Sequence, residues 1–334
     1  MLFNVWVTTA CNLKCRYCYE GQAKAYEFMD LETAKKCCQY IMSFNDPILI
    51  IQFHGGEPLL NYDVVQYIVK ELLNKKKDYQ KIMFGLTTNG ILLTREKVRF
   101  LAKYMDYGFS ISLDGDEFVN DSMRRIQNGG GSYKFVVPKI RMALDITGNI
   151  RFRMTFTPET VDRLADSVIH LESIGAKLIV SHPDFFSKDW TKQHLEIYRR
   201  ELEKLEEISY RQHWSEKGVK VSLLTYEIFK KTRCSGGENS INISPKGELY
   251  PCTYLVNMQD YIIGTLTHGI DKKKMKAISK VNDPDIEVCI GCSNYHSCEA
   301  VRCRYLNKLL TNDYLCPSPI ICAFERENIK FSMR

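Results

Sequence analysis

The stretch Thr8-Thr9-Ala10-Cys11-Asn12-Leu13-Lys14-Cys15-Arg16-Tyr17-Cys18-Tyr19 sets three cysteines in a C-x-x-x-C-x-x-C spacing, directly after the apolar run Phe3-Asn4-Val5-Trp6-Val7. The run reads as a strand, and the cysteines lie in the loop that leaves it. Three thiolates so close in sequence can ligate three corners of a cubane iron–sulfur cluster and leave the fourth iron without a protein ligand. Lys14 and Arg16 between them offset part of the anionic charge. On these residues alone the alternatives are a zinc knuckle missing one ligand or reduced structural thiols. Zinc ligand sets more often come as spaced pairs.

Outward from this loop, apolar β-branched runs alternate with amphipathic segments from residue 2 to about 182. Strands are expected at residues 3–7, 47–53 (buried on both faces), 82–87, 108–113, 150–157 and 177–181. Helices are expected at 31–43 with Asp30 as N-cap, 64–73, 94–104, 135–144 and 160–174. Six strands alternating with helices predict an α/β fold with a parallel sheet and helices on its outer face. Six units are too few to close an eight-stranded barrel, and periodicity does not say whether the sheet curls. Residues 183–233 read as a bridge containing a long exposed helix over 190–214. From Cys234 the composition changes, with eight of the thirteen cysteines in the last 101 residues. A boundary near residue 230 gives three units: 1–182, 183–233 and 234–334.

The chain of 334 residues is 45% hydrophobic and 26% charged, as for ordinary globular proteins. No apolar run approaches the roughly 18 residues of a membrane span. No signal peptide precedes the first strand, so a cytoplasmic location is expected. Thirteen cysteines without an export signal argue for metal ligation rather than disulfides. The net charge of +6 is mild, and Lys75-Lys76-Lys77 and Lys272-Lys273-Lys274 read as solvated faces. Neither nucleic acid nor membrane is expected as a partner.

With Tyr17 as the aromatic, the C-x-x-x-C-x-aromatic-C spacing after a first strand resembles the signature of the radical S-adenosylmethionine (SAM) enzymes. The resemblance implies that Cys11, Cys15 and Cys18 hold a [4Fe–4S] cluster whose open iron chelates the amino and carboxylate groups of SAM. It implies cleavage of SAM to a 5′-deoxyadenosyl radical that abstracts hydrogen from a substrate. It also implies that the sheet curls into a partial (β/α)6 TIM-like barrel with the active site at the strand C-termini.

His54-Gly55-Gly56-Glu57-Pro58 ends the second expected strand. Paired glycines permit close backbone approach and Glu57 offers an acceptor for an amine, although such a turn is as readily structural. It is similar to the family's G-G-E-P motif, which implies that Gly55, Gly56 and Glu57 bind the amino group of SAM and that His54 lines the site. Thr88-Asn89-Gly90 is locally a turn signal. It stands where the family carries T-N-G, which implies Asn89 near SAM. Ser110-Ile111-Ser112-Leu113-Asp114-Gly115, followed by Asn120 to Arg125, is similar to the S-x-D-G…R stretch of the peptide-modifying subfamily. This implies Ser112 and Arg124 as holders of the ribose and carboxylate, with Arg125 the alternative to Arg124. An arginine's planar fork suits a carboxylate. In Arg151-Phe152-Arg153-Met154, alternation leaves open which arginine faces the barrel interior.

Toward the C-terminus, Cys234 is followed by Gly247 and Cys252, then by Cys289-x-x-Cys292, Cys298, Cys303, Cys316 and Cys322. Eight thiolates make two four-ligand sites, either two cubanes or two zincs. The interleaving resembles the SPASM extension of radical SAM peptide-modifying enzymes. That implies a C-terminal SPASM domain with two auxiliary [4Fe–4S] clusters, hence three clusters in all. By the same resemblance the first auxiliary cluster takes Cys234, Cys252 and Cys303. The second takes Cys289, Cys292, Cys298 and a downstream cysteine, for which Cys316 matches better. Two departures stand out. Four residues rather than three precede Cys303, and only three clear ligands remain for the first auxiliary cluster. Either Cys322 completes it or one iron stays open to a substrate thiolate. Cys37 and Cys38, adjacent on a helix, point about 100° apart and read as packing residues.

The resemblance therefore implies a radical SAM oxidoreductase that matures a ribosomally made precursor peptide through an oxidative thioether or carbon–carbon crosslink. Epimerisation or another radical SAM oxidation is the alternative within the family. Sulfatase maturation is disfavoured because Thr253 and Tyr254 follow Cys252 where those enzymes carry an aspartate. A zinc-binding interaction protein is the rival from another class. An electron donor such as flavodoxin or ferredoxin is an expected partner. The first strand starts at residue 2, so a precursor peptide is expected to be captured by the barrel mouth, the bridge or a separate leader-binding protein.

Overall fold

The computed structural model describes residues 1–21, 26–225, 234–282 and 284–333. The chain runs through β1 (Leu2–Thr8), β2 (Leu13–Cys15), α1 (Leu31–Met42), β3 (Ile48–Gly55), α2 (Tyr62–Lys75), β4 (Lys81–Thr88), α3 (Arg95–Tyr104), β5 (Gly108–Ser112), α4 (Glu117–Met123), β6 (Arg124–Ile126), α5 (Tyr133–Thr147), β7 (Arg151–Phe156), α6 (Leu164–Ser173) and β8 (Leu178–Pro183). A long helix, α7 (Lys192–Arg211), precedes β9 (Lys220–Val221). The remainder holds β10 (Ser240–Ile243), β11 (Glu248–Tyr250), β12 (Gly264–Thr265), β13 (Gly269–Ile270) and the helices α8 (Lys272–Ser279), α9 (Glu299–Arg302), α10 (Arg304–Thr311) and α11 (Pro319–Ser332). The expected boundary near residue 230 lies outside the described residues.

The six expected strands form one parallel ladder, β1-β3-β4-β5-β7-β8, with α1, α2, α3, α5 and α6 as crossovers. Local chemistry sets the helix starts: Asp30 accepts the Thr33 amide at 2.7 Å and Thr94 the Lys97 amide at 3.3 Å. The ladder is extended on both edges. β10 pairs parallel with β1, and β9 parallel with β8. The eleven-stranded sheet does not close, since β13 and β9 are its two edges. It curls nonetheless, because residues of β3, β4, β5, β7 and β8 line one cavity. The fold is thus a partial α/β barrel.

β3 is not buried on both faces as expected. Leu49, Ile51 and Phe53 are fully buried under the helices, whereas Ile50, Gln52 and His54 face a lumen and stay half-accessible. Nor is α7 simply exposed: Tyr198, Leu202 and Leu205 are buried. The Tyr198 ring packs edge-on against Phe324 of α11 at 5.0 Å and its hydroxyl donates to Asn328 Oδ1 at 2.6 Å. The bridge therefore fastens the C-terminal helix to the barrel. By contrast, the cysteine-rich segment around α9 and α10 has a small core of its own, Cys298, Ala300, Leu306 and Ile321. A segment with so little apolar burial needs another staple. Among the described residues no helix is long and apolar enough to cross a membrane.

Candidate active site

The loop after β1 returns through β2, whose Leu13, Lys14 and Cys15 pair antiparallel with Ile126, Arg125 and Arg124 of β6. This short ladder sets Arg124 beside the cysteine loop, with Nη1 4.0 Å from Cys15 Sγ and the guanidinium 5.4 Å from the centre of the Tyr17 ring. Arg124 Nε donates to Asp114 Oδ2 at 2.9 Å, and the Tyr17 hydroxyl donates to the same oxygen at 2.5 Å. Asp114 Oδ1 accepts the Thr155 amide at 3.0 Å. Arg124 and Asp114 are both buried, whereas Arg125, its sequence alternative, is exposed.

Donors surround the thiols. The Leu13 amide points at Cys11 Sγ at 3.4 Å and Asn89 Nδ2 at 3.9 Å. Burial pushes the Cys15 thiol up to about 12; Arg124 opposes this, while Asp114, Cys11 and Cys18 add to it. Three thiolates within each other's field need a shared cationic centre, and three cysteines with surrounding donors suit an iron–sulfur cluster.

The glycine pair is required by backbone approach. The Gly56 and Glu57 amides donate to the carbonyls of Thr8 (3.2 Å) and Ala10 (2.9 Å). A Cβ on Gly55, whose φ is +129°, would lie 2.0 Å from the Thr8 oxygen, and one on Gly56 2.3 Å from that of Ala10. Glu57 sits differently from its expected role as a ready acceptor. Fully buried, it accepts from Thr88 Oγ1 (2.7 Å) and the Leu59 amide (3.1 Å) on Oε1, and from the Asn89 amide (2.7 Å) on Oε2. Burial pushes its carboxyl up and these bonds pull it back. Glu57 thereby ties the ends of β3 and β4 and aims Asn89, whose Nδ2 also donates to Asn12 Oδ1 at 2.7 Å. His54 stacks on Trp6 with centroids 4.8 Å apart. Burial, with Arg153 adding its charge, pushes it down to about 4.

All these groups line one cavity of about 380 Å³: Cys11, Cys15, Cys18, Tyr17, His54, Gly55, Gly56, Glu57, Asn89, Ser112 and Arg124. Side chains that sequence reasoning did not single out as site residues complete the lining, among them His182, Asp184, Phe185, Phe186 and Tyr254. Their only sequence signal is position: His182 and Asp184 stand at the C-terminal end of the last full strand. Asp114, named only as part of the S-x-D-G stretch, turns out to be the carboxylate that holds both Arg124 and Tyr17.

The C-terminal thiols fall into two neighbourhoods. Burial pushes Cys252 up to about 12, with Cys303 and Cys234 adding to the rise. Burial likewise raises Cys303 to about 11, and Cys234 again contributes. Separately, burial raises Cys289, with Cys322 and Cys292 reinforcing, and Cys322 also acts on Cys298. Cys322, in the first turn of α11, is the downstream cysteine whose charge acts on this second group. Cys316, the better match by resemblance, is exposed in the preceding loop. Gly247, at φ +81°, turns the β10–β11 hairpin that carries the chain from Cys234 to Cys252. Among the described residues no three His, Cys, Asp or Glu donors converge to suit a single metal ion. A cubane, which binds each ligand at a different corner, does not ask for that convergence.

Residues 6–171 match the model of the Radical SAM superfamily. Over 283 residues the chain is 23% identical to the radical SAM cyclopropyl synthase TigE of Paramaledivibacter caminithermalis, covering 76% of this chain and 58% of TigE. It is 26% identical over 274 residues to the antilisterial bacteriocin subtilosin biosynthesis protein AlbA of Bacillus subtilis, covering 78% of this chain and 56% of AlbA. The chain thus spans little more than half the length of these curated relatives. Its fold matches that of native anSMEcpe with bound AdoMet and Cp18Cys peptide at a TM-score of 0.80 and 18% identity, covering 99% of this chain and 97% of that one. With its cysteine loop, glycine pair and buried arginine gathered at the C-terminal ends of the strands, the chain belongs to the radical SAM superfamily, whose cofactors are a [4Fe–4S] cluster and SAM.

Proposed function

We infer that this chain is a radical SAM peptide-modifying enzyme that forms an oxidative thioether or carbon–carbon crosslink in a ribosomally made peptide. The carrying observation is the shape around the lumen. The cysteine-lined cavity shares Tyr19 and Tyr254 with a second cavity of about 390 Å³, and His182, Phe185 and Tyr254 with a third of about 670 Å³. Adjoining cavities of this total size suit an extended chain passing across the cysteine loop. The relatives named for bacteriocin biosynthesis and for cyclopropyl synthesis, and the similar fold with a bound peptide, support the same reading.

When bound, the cluster and SAM together supply the hydrogen-abstracting radical. Cys11, Cys15 and Cys18 would hold the cluster. The Gly55–Gly56 backbone, Asn89, Ser112 and Arg124 would orient SAM, with Glu57 and Asp114 positioning Asn89 and Arg124. Closing a crosslink removes two hydrogens from the peptide, one as an atom and one as a proton, and leaves one electron to be accepted. The two C-terminal thiol groups, Cys234/Cys252/Cys303 and Cys289/Cys292/Cys298/Cys322, would hold auxiliary clusters for that electron. Asp184, which lines the lumen and accepts the Phe186 amide at 3.0 Å, would take the proton. Peptide and SAM filling the cavity would shield the radical step from bulk water.

Iron and sulfide content after anaerobic reconstitution tests the reading, on the wild type and on Cys11/Cys15/Cys18→Ala. About twelve irons falling to about eight supports one SAM cluster and two auxiliary ones. About four falling to zero removes the auxiliary clusters, and colourless zinc protein would point to the interaction-protein alternative.

A further inference from the structure

Two arginines face the lumen, and their electrostatic situations differ. Arg124 is neutralised by Asp114. Arg153, on β7 and in register with Ser112 of β5, lines the same cavity. Among the described residues it makes no hydrogen bond or ion pair. Arg151, two residues earlier, lies over Gly108 at the opposite end of the strands, where a Cβ would meet its Nη1 at 2.9 Å. The groups that act on Arg153 are burial, Arg151, Tyr254 and Tyr19, and no carboxylate is among them. Of the three lumen carboxylates, Glu57 is held by Thr88 and Asn89, Asp184 accepts the Phe186 amide, and Glu20 is half-buried beside Tyr19.

The Arg153 guanidinium stays accessible from this cavity, so its charge is open to an anionic ligand. Its planar fork matches a carboxylate with two parallel hydrogen bonds. Desolvation first and the charge of Arg153 second lower both His54 and His182, which disfavours a second cation beside it. We propose that Arg153 is the carboxylate-binding residue of the lumen, clamping an acidic side chain or C-terminal carboxylate of the peptide beside Ser112. The carboxylate of SAM is the other source of the same chemistry. Arg153 reaches toward Tyr19 and Tyr254, the side on which the lumen opens to the flanking cavities, whereas Arg124 abuts Cys15. That placement favours the peptide. The inference rests on the reading of this cavity as the SAM and peptide site.

The test uses the full reconstituted chain as wild type, Arg153→Met and Arg153→Lys, with iron content as the folding control. Equilibrium dialysis measures binding of SAM and of decarboxylated SAM. Enrichment on immobilised enzyme, with SAM present, compares random synthetic dodecapeptides containing Asp, Glu and a free C-terminus with amidated libraries in which Asn and Gln replace the acids. Losing the fork should weaken carboxylate binding roughly 10- to 100-fold in Arg153→Met, and less in Arg153→Lys. If wild type enriches the acidic library and Arg153→Met does not, while SAM binding is unchanged, the peptide carboxylate is the ligand. If Arg153→Met weakens SAM but not decarboxylated SAM, the carboxylate is SAM's. Equal iron, equal SAM affinity and equal enrichment in Arg153→Met and wild type overturn the proposal alone. A wild type that binds neither iron nor SAM instead sinks the site reading beneath it.

Discussion

Arg124 and Asp114 form a buried ion pair, Nε to Oδ2 at 2.9 Å, and Asp114 simultaneously holds the Tyr17 hydroxyl and the Thr155 amide. One carboxylate therefore joins the cysteine loop, the β6 arginine and β7. Asp114→Ala leaves a buried guanidinium without its counter-charge, a loss of about 3–5 kcal/mol. Denaturant unfolding of the apo chain should show that loss. Arg124→Met combined with Asp114→Ala should recover part of it, because neither charge is then left unpaired. A double variant no more stable than Asp114→Ala would show that the pair itself contributes little.

Gly56→Ala puts a methyl group where the nearest atom, 2.3 Å away, is a backbone oxygen that no side-chain rotation can move. The Thr8–Ala10 segment must shift, and the cysteine loop with it. After anaerobic reconstitution the variant should lose about a third of its iron, the share of one of the three proposed clusters, and keep the rest. Full iron retention would show that the loop tolerates the displacement.

The parallel ladder was legible because each of its six strands carries a dense apolar run and each crossover a helix-length amphipathic pattern, whereas its curl followed only from the family resemblance. The added strands were not. β9 is two residues long, and β10 pairs with β1 across more than two hundred residues, so neither leaves a local signal. Both faces of β3 looked core-like because Ile50 is apolar, yet it borders a lumen. The site residues could be named because the cysteine and glycine spacings match the motifs of a known family, onto which the remaining positions were carried. What spacing could not convey is who holds whom: that Glu57 is already bound to Thr88 and Asn89, that β2 and β6 pair, and that α11 swings Cys322 toward Cys289. The exposed-helix expectation for α7 failed because its Glu- and Lys-rich sequence conceals a stripe of Tyr198, Leu202 and Leu205.

Cys316 and Cys322 make a discriminating pair. Cys322 acts on both Cys289 and Cys298, and Cys316 is exposed. Cys322→Ala should lower the iron content by about four and loosen the small α9–α11 core, read as faster proteolysis after Cys298. Cys316→Ala should leave iron unchanged. In the reconstituted wild type Cys316 should be the thiol that maleimide labels first. Iron loss in Cys316→Ala with none in Cys322→Ala would reverse the assignment.

His54 and His182 give the apo fold a pH dependence of definite sign. Desolvation against Trp6, with the charge of Arg153 adding, pushes His54 down to about 4, and the same causes act in the same direction on the more accessible His182, whereas histidine in an unfolded chain titrates near 6.5. Below about pH 6.5 the unfolded chain takes up protons that the folded one refuses, so their contribution is fully present above that pH and is lost as pH falls toward 4. Urea unfolding of the apo chain under argon at pH 8, 7, 6 and 5 should show stability falling below pH 6.5. His54→Gln/His182→Gln should fall less steeply. Arg153→Met should also flatten the curve, because removing the neighbouring charge lets both histidines protonate nearer their ordinary value. Identical slopes in wild type and the double variant would mean that neither histidine is held neutral in the lumen.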